Sequence, residues 1–312
     1  MRSQVDKPQP SRAQWLRKLA QRRRDRVAFV FSGGGPLGAL QVGAIRALFE
    51  QGITPDLTVG TSVGAMNATF TSFNPTSEGA ESLVRIWSSL NDTDLFPGGR
   101  FKASWARFLV RGNKVFDNVG LKKMIETRLG DVHFEDAQIP LGIVATDLDS
   151  GDEKIFTSGR ILPPLLASAA MPGVYPPVEI DGHVYVDGGV ANNVPIAPAI
   201  TLGARTVYVM DSTSHTHQKR PLNRPIDYLL HAFTLARAQR LQIEQKMFSE
   251  KVKVVMLPTP KLDFFVPFAS MEFTDKLITM GYETVRGFLA GTTPTPVEAE
   301  VQPGVEVIAP AK

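Results

Sequence analysis

The 312 residues, 43% of them hydrophobic, suffice for one elaborated globular domain, and the absence of cysteine excludes a disulfide framework, a thiolate nucleophile and a cysteine-ligated metal. The net charge of +3 hides an asymmetry: residues 1–26 carry nine Lys/Arg against Asp6 and Asp25, so that arm holds +7 and the remainder −4. A basic arm on a mildly acidic body is drawn to anionic surfaces, with nucleic acid and phospholipid headgroups as the candidates. Trp15, Leu16 and Leu19 fall on one face of a predicted helix among those arginines, the pattern of a segment lying in a membrane interface; the plainer alternative is a solvated leader.

Residues 27–45 carry no charge, yet three consecutive glycines and Pro36 in their middle would break a spanning helix. They read instead as a buried strand over residues 27–31, a glycine loop over 32–38, and a helix over 37–51 with Pro36 in its first turn. Residues 161–178 are also uncharged, but five prolines exclude a continuous helix there. Neither a signal peptide nor a transmembrane helix is expected.

Consecutive glycines allow close backbone approach, and their N–H groups at a helix start form an anion site. Gly33, Gly35 and Gly38 satisfy the spacing of a dinucleotide fingerprint, which also wants an acidic residue at the end of the second strand. Asp56 has roughly the right distance but precedes the second apolar run, and Ser62 stands at its end. A phosphate-binding P-loop is excluded, since no Gly-Lys-Ser/Thr follows the glycines.

Residues 57–59 form that second run, and Gly60-Thr61-Ser62-Val63-Gly64 then leads into a helix-compatible segment. A serine on a sharp strand-to-helix turn, flanked by glycines, presents its hydroxyl at the carboxyl edge of a sheet. With both glycine segments closing adjacent parallel strands, the amides of Gly34 and Gly35, joined by that of Val63, are placed to bind an oxyanion formed at Ser62. A nucleophile beside an anion hole implies acyl transfer and requires a base.

Further along, a helix is expected over residues 77–91, an amphipathic helix over 101–111, and a helix over 119–129 capped by Asn118 and ended by Gly130. A buried strand follows at 141–146, a turn at 147–152, a short strand at 154–157 and a small-residue helix at 161–170. Asp181-Gly182 between residues 178–180 and 183–186 signals a hairpin. Asp187-Gly188-Gly189 ends its second strand, a position suited to a catalytic carboxylate, with Asn192, Asn193 and Pro195 fixing the next loop. Strands are expected at 205–211 and 252–257, around a long helix at 226–250. The apolar residues Phe264, Phe265, Val266 and Phe268 read as core, and a last helix spans 271–289. From Gly291 onward the composition is that of a tail.

A Ser-acid-His triad would need a late histidine. Of His133, His183, His215, His217 and His231, none is well placed in sequence, so a Ser62–Asp187 dyad fits better. An aspartate with its usual pKa is a weak base, and burial in a cleft would raise it.

Four segments together, Gly33-Gly34-Gly35-Pro36-Leu37-Gly38, Gly60-Thr61-Ser62-Val63-Gly64, Ala167-Ser168-Ala169-Ala170-Met171-Pro172 and Asp187-Gly188-Gly189, resemble the patatin-like phospholipase family over residues 27–210. The resemblance implies a three-layer α/β/α sandwich with a mostly parallel central sheet, related to cytosolic phospholipase A2. It implies that Ser62 is the nucleophile, Asp187 its partner and the loop with Gly33, Gly34 and Gly35, together with Val63, the oxyanion hole, supported by Gly38, Gly60, Gly64, Gly188 and Gly189. The implied activity is hydrolysis of fatty-acyl esters of phospholipids, lysophospholipids or neutral lipids, with no cofactor or metal in the catalytic step. Two departures stand out: the family's loop commonly begins with Asp and has Arg before its last Gly, where this chain has Ser32 and Leu37. They raise the alternative of a catalytically inactive lipid-binding protein of the same fold.

The expected organisation is a basic arm at 1–26, an acyl hydrolase domain at 27–290 and a flexible tail at 291–312. The expected setting is cytoplasmic, with peripheral membrane contact through the arm; neither nucleic acid nor a dinucleotide is an expected partner.

Overall fold

A computed structural model describes residues 26–95, 117–213, 225–248, 252–267 and 270–292. Residues 1–25 of the basic arm, the predicted helix over 101–111, His215, His217, Phe268 and nearly all of the tail lie outside the described residues.

Eight strands form one sheet: β1 (Val27–Phe31), β2 (Leu57–Thr61), β3 (Leu141–Asp147), β4 (Glu153–Phe156), β5 (Val178–Ile180), β6 (His183–Asp187), β7 (Thr206–Met210) and β8 (Lys253–Met256). Their order is β5-β6-β3-β2-β1-β7-β8, with β4 also pairing β3. Strands β3, β2, β1, β7 and β8 are mutually parallel, and the pairs β3 with β4, β3 with β6 and β5 with β6 are antiparallel.

The helices are α1 (Gly38–Glu50), α2 (Val63–Phe73), α3 (Ser77–Ser88), α4 (Val119–Leu129), α5 (Leu162–Ser168), α6 (Ile196–Thr201), α7 (Pro225–Phe248) and α8 (Thr274–Leu289), with a further turn at Asp92–Leu95. Side chains of a strand alternate between its faces, and β1 shows how the sheet becomes the middle layer. Phe29 and Phe31 belong to one core with Leu40, Leu48, Leu83 and Leu277 of α1, α3 and α8. Ala28 and Val30 belong to a second core with Ile196 and Ala199 of α6. A strand buried on both faces has no polar side to show, which is why β1 and β2 read as continuous apolar runs.

Most local expectations match. Asp181 (φ 51°) and Gly182 (φ 81°) make the tight turn between β5 and β6, and Gly130 ends α4 at φ 78°. Asn118 precedes α4 but its side chain makes no capping bond. In the phenylalanine cluster, Phe264 packs against Phe273 and Val266 is buried, whereas Phe265 is exposed and is not core.

The register along β3 brings the ends of β2 and β6 together. β2 and β4 both pair with Ile143 and Val144, so they occupy opposite edges of β3. β4 and β6 both pair with Ala145 and Thr146, so they too lie on opposite edges. β2 and β6 therefore share one edge of β3, end to end. Thr61 lies against Val144 and Asp187 against Ala145, two consecutive residues of β3.

Candidate active site

The chain leaves β2 at Thr61 and enters α2 at Val63, so Ser62 alone makes the turn, at φ 57° and ψ −127°. This left-handed backbone is costly for a residue with a Cβ, of order 1–3 kcal/mol. The surrounding contacts hold it there. Gly60 and Gly64 touch across the turn: a Cβ on Gly60 would stand 2.2 Å from the Gly64 carbonyl oxygen, and one on Gly64 would stand 2.4 Å from that of Phe31. Only glycine at both positions lets the helix start this close to β1 and β2. The Ser62 N–H donates to Ser168 Oγ over 2.8 Å, and the Ser168 hydroxyl donates to the Val144 carbonyl over 2.6 Å. Ser168, at the end of α5, thus braces the turn against β3.

The Ser62 hydroxyl donates to Asp187 Oδ2 over 2.7 Å. The other carboxylate oxygen, Oδ1, accepts from the Gly189 N–H over 2.7 Å. Asp187 is only 3% exposed. Burial raises its pKa above the ordinary aspartate value; Arg237, the Ser62 hydroxyl and the Gly189 N–H pull the other way without cancelling the rise. A buried carboxyl of raised pKa, hydrogen-bonded to a serine hydroxyl, is a better proton acceptor than an ordinary surface carboxylate.

The glycine loop crosses this pair. Gly33 sits against Ser62, with 3.2 Å between its Cβ direction and the Ser62 Cβ, but its N–H donates to the Asn193 carbonyl over 3.1 Å. Its donor is therefore spent on tying the loop to the segment after Asp187. The N–H groups of Gly34 and Gly35 meet no acceptor among the described residues, and Gly35 adopts φ 57°. Val63 opens α2, where the N–H has no intrahelical partner. Gly38 packs under Val63 and Trp87, and Gly188 lies on the Val144 carbonyl, too near for any Cβ.

The two departures in the loop fall away from the serine. Ser32 is fully buried; its Oγ accepts from the Ser212 N–H over 3.0 Å, and its carbonyl accepts from Gln41 Nε2 over 2.8 Å. Leu37 packs against the larger core. Gln41 also accepts from Asn67, whose Oδ1 takes the Trp87 indole N–H over 2.9 Å, so a continuous polar network underlies the loop.

Of the histidines, His183 is 63% exposed and pairs with Asp147 at 3.2 Å. The backbone N–H of His133 is held by Asp136. Neither approaches the Ser62–Asp187 pair. Asp56 accepts from the Val27 N–H over 2.9 Å at the start of β1, the opposite end of that strand from the glycine loop. Among the described residues, no group of three or more His, Asp or Glu is placed to hold a metal ion.

Ser62 and Asp187 stand at the wall of a cavity with about 760 Å³ of empty space, counting the part open to solvent. Its lining is apolar: Met66, Phe70, Ile86, Leu90, Leu121 and Met124 are among the residues that surround it, and Trp87 and Met271 contribute as well. Among the described residues, no helix is long and apolar enough to cross a membrane.

Sequence reasoning missed two contributors. Arg237 of α7 donates from Nε to the Gly189 carbonyl over 2.8 Å, and nothing distinguishes it in sequence from the other basic residues. Ser168 stands in the sequence only within Ala167-Ser168-Ala169-Ala170-Met171-Pro172, one of the segments that carry the resemblance, without its role as a brace.

An α/β/α sandwich with a serine at a strand-helix turn bonded to a carboxylate defines the architecture of a patatin-type domain. The chain belongs to the patatin-like phospholipase family: the family model matches residues 29–200. It is 31% identical over 191 residues to "Patatin-like phospholipase domain-containing protein 7" of Mus musculus and 28% identical over 199 residues to "Neuropathy target esterase sws" of Drosophila melanogaster. Each match covers 59% of this chain and 13% of the relative, so the chain spans a small part of the proteins it resembles. Among solved structures, VipD from Legionella pneumophila is similar with a TM-score of 0.48 and 14% identity, covering 86% of this chain and 67% of that chain.

Proposed function

We propose that this chain is a serine acyl hydrolase that cleaves fatty-acyl esters of phospholipids, lysophospholipids or neutral lipids through a Ser62–Asp187 dyad. The observation that carries the reading is the 2.7 Å bond from Ser62 Oγ to a buried carboxylate at the wall of an apolar cavity. The cavity suits an acyl chain, and family membership favours a lipid ester as substrate.

In this mechanism Asp187 accepts the Ser62 proton as Oγ attacks the ester carbonyl carbon. The N–H groups of Gly34, Gly35 and Val63 stabilise the oxyanion; Gly33 acts only through its contact with Asn193. Collapse breaks the ester C–O bond, and Asp187 returns its proton to the departing alcohol. Water then attacks the acyl-enzyme while Asp187 takes a proton from it, and the fatty acid leaves with Ser62 Oγ reprotonated. The inactive lipid-binding alternative draws no support from Ser32 or Leu37, since neither side chain lines the cavity. Hydrolysis of a fluorogenic lysophospholipid by the wild type and its loss in Ser62→Ala tests the reading; equal turnover by both proteins rejects it.

The basic arm at 1–26 supplies peripheral membrane contact in this reading. Co-sedimentation with anionic vesicles checks it: binding that resists salt, or that survives deletion of the arm, counts against it.

A further inference from the structure

Helix α7 lays a guanidinium against the turn that carries Asp187. Arg237 Nε holds the Gly189 carbonyl at 2.8 Å, the Gly189 N–H holds Asp187 Oδ1 at 2.7 Å, and Asp187 Oδ2 holds the Ser62 hydroxyl at 2.7 Å. A single residue, Gly189, thus links the cation to the dyad. The contact depends on glycine: a Cβ at Gly189 would stand 2.3 Å from Arg237 Nη2 and 2.8 Å from Asn193 Oδ1. The glycine loop beside Ser62 offers only uncharged donors, with Leu37 at its end. Among the described residues, Arg237 is the cation that acts on Asp187, and Asp211 is the second carboxylate that acts on Arg237.

We propose that Arg237 is a positioning residue for the dyad: it fixes the Gly189 backbone that orients the Asp187 carboxylate, and its charge favours the ionised form of that buried carboxylate. The inference rests on Ser62 and Asp187 being the reacting pair. A carboxylate removed from water and deprived of a nearby cation takes up a proton instead of staying charged. A protonated Asp187 cannot accept the proton of Ser62. Burial already drives the Asp187 pKa upward, and Arg237 is the first of the influences opposing it. Arg237 is itself held below the ordinary guanidinium value by burial, while Asp187 and Asp211 favour its charged form.

The test compares Arg237→Met, Arg237→Gln and Arg237→Lys in the full chain. Titration of the Asp187 carboxyl is followed by carbon NMR, with the signal assigned by its absence in Asp187→Asn. In parallel, the rate of fluorophosphonate labelling at Ser62 is measured from pH 5 to 9. Loss of the charge in the Met or Gln variant is expected to move the Asp187 midpoint to higher pH by about one to three pH units. Labelling at pH 6 is expected to fall at least tenfold and to recover at alkaline pH. Gln retains a donor for the Gly189 carbonyl, so it reports the charge alone and serves if the Met variant does not fold. Lys keeps the charge without the planar fork, and is expected to hold the midpoint while slowing labelling. An unchanged midpoint in a folded Met or Gln variant overturns the proposal, as does a labelling loss that is uniform across pH. If wild-type Ser62 is not labelled at any pH, the hydrolase reading fails, and the carboxyl titration still decides the role of Arg237.

Discussion

Ser62 donates to Asp187 across 2.7 Å although 125 residues separate them in the chain. The bond follows from strand register more than from either local segment. β2 and β6 abut on one edge of β3, so the residue that leaves β2 and the residue that ends β6 are delivered to the same point. Thr146 secures the junction, its hydroxyl donating to the Asp187 carbonyl over 2.9 Å. A pair fixed by backbone pairing needs no side-chain rearrangement to meet.

The left-handed turn at Ser62 has a stability consequence. Ser62→Gly removes the Cβ from φ 57° and is expected to stabilise the fold by about 1 kcal/mol relative to Ser62→Ala, which keeps the strain. Both variants lose the hydroxyl and are expected to lose turnover by about 10⁴-fold or more. Chemical denaturation and ester hydrolysis on the two proteins check this; equal stability would show that the turn is not strained.

Ser168 has a structural role that a turnover assay alone would miss. Ser168→Ala leaves the Ser62 N–H without its acceptor and the Val144 carbonyl without its donor. An unsatisfied buried group costs about 1–3 kcal/mol, and denaturant titration is expected to report a loss in that range. Slower fluorophosphonate labelling should accompany it, because the turn is less firmly held; a variant as stable and as reactive as wild type contradicts the bracing role.

The raised pKa of Asp187 predicts two pH dependences. Turnover needs the ionised carboxylate, so the acidic limb of kcat/KM should have its midpoint above the ordinary aspartate value of 3.8. Stability runs in the opposite sense. With the folded pKa above the unfolded one, the contribution of this group is fully present below pH 3.8 and is lost as pH rises through the raised value. Asp187→Asn should abolish both the limb and that part of the stability slope. A kcat/KM profile flat down to pH 4 would remove Asp187 as the base.

The cavity lining predicts chain-length discrimination. Leu121 on α4 is buried and lines it. Leu121→Trp fills space an acyl chain would occupy, and each methylene denied burial costs about 0.8 kcal/mol. Palmitoyl ester hydrolysis is expected to fall at least about tenfold, with butyryl ester hydrolysis held within about threefold. Equal losses on both esters would place the acyl chain elsewhere.

Much of the site was legible in the sequence because it sits at strand ends marked by glycine. The runs around Gly33-Gly34-Gly35 and Gly60-Thr61-Ser62-Val63-Gly64 each signal a strand, a close backbone approach and a helix start, and all three occur. The Asp181-Gly182 hairpin likewise delivers Asp187 to its strand end. What escaped depends on contacts distant in sequence. Gly33 looks like an anion donor until Asn193 is seen to take its N–H. Arg237 is one of 34 basic residues, and only the path of α7 over Gly189 singles it out. Asn118 has the right residue type for a cap, yet its side chain makes no such bond.

The central claim is that Ser62 is a nucleophile activated by Asp187. Fluorophosphonate labelling of the full chain, followed by peptide mapping, tests it most directly. The account predicts one modified residue, Ser62, with labelling lost in Ser62→Ala and reduced at least about a hundredfold in Asp187→Asn. Hydrolysis by a protein whose Ser62 stays unlabelled, or labelling unaffected by Asp187→Asn, would contradict it.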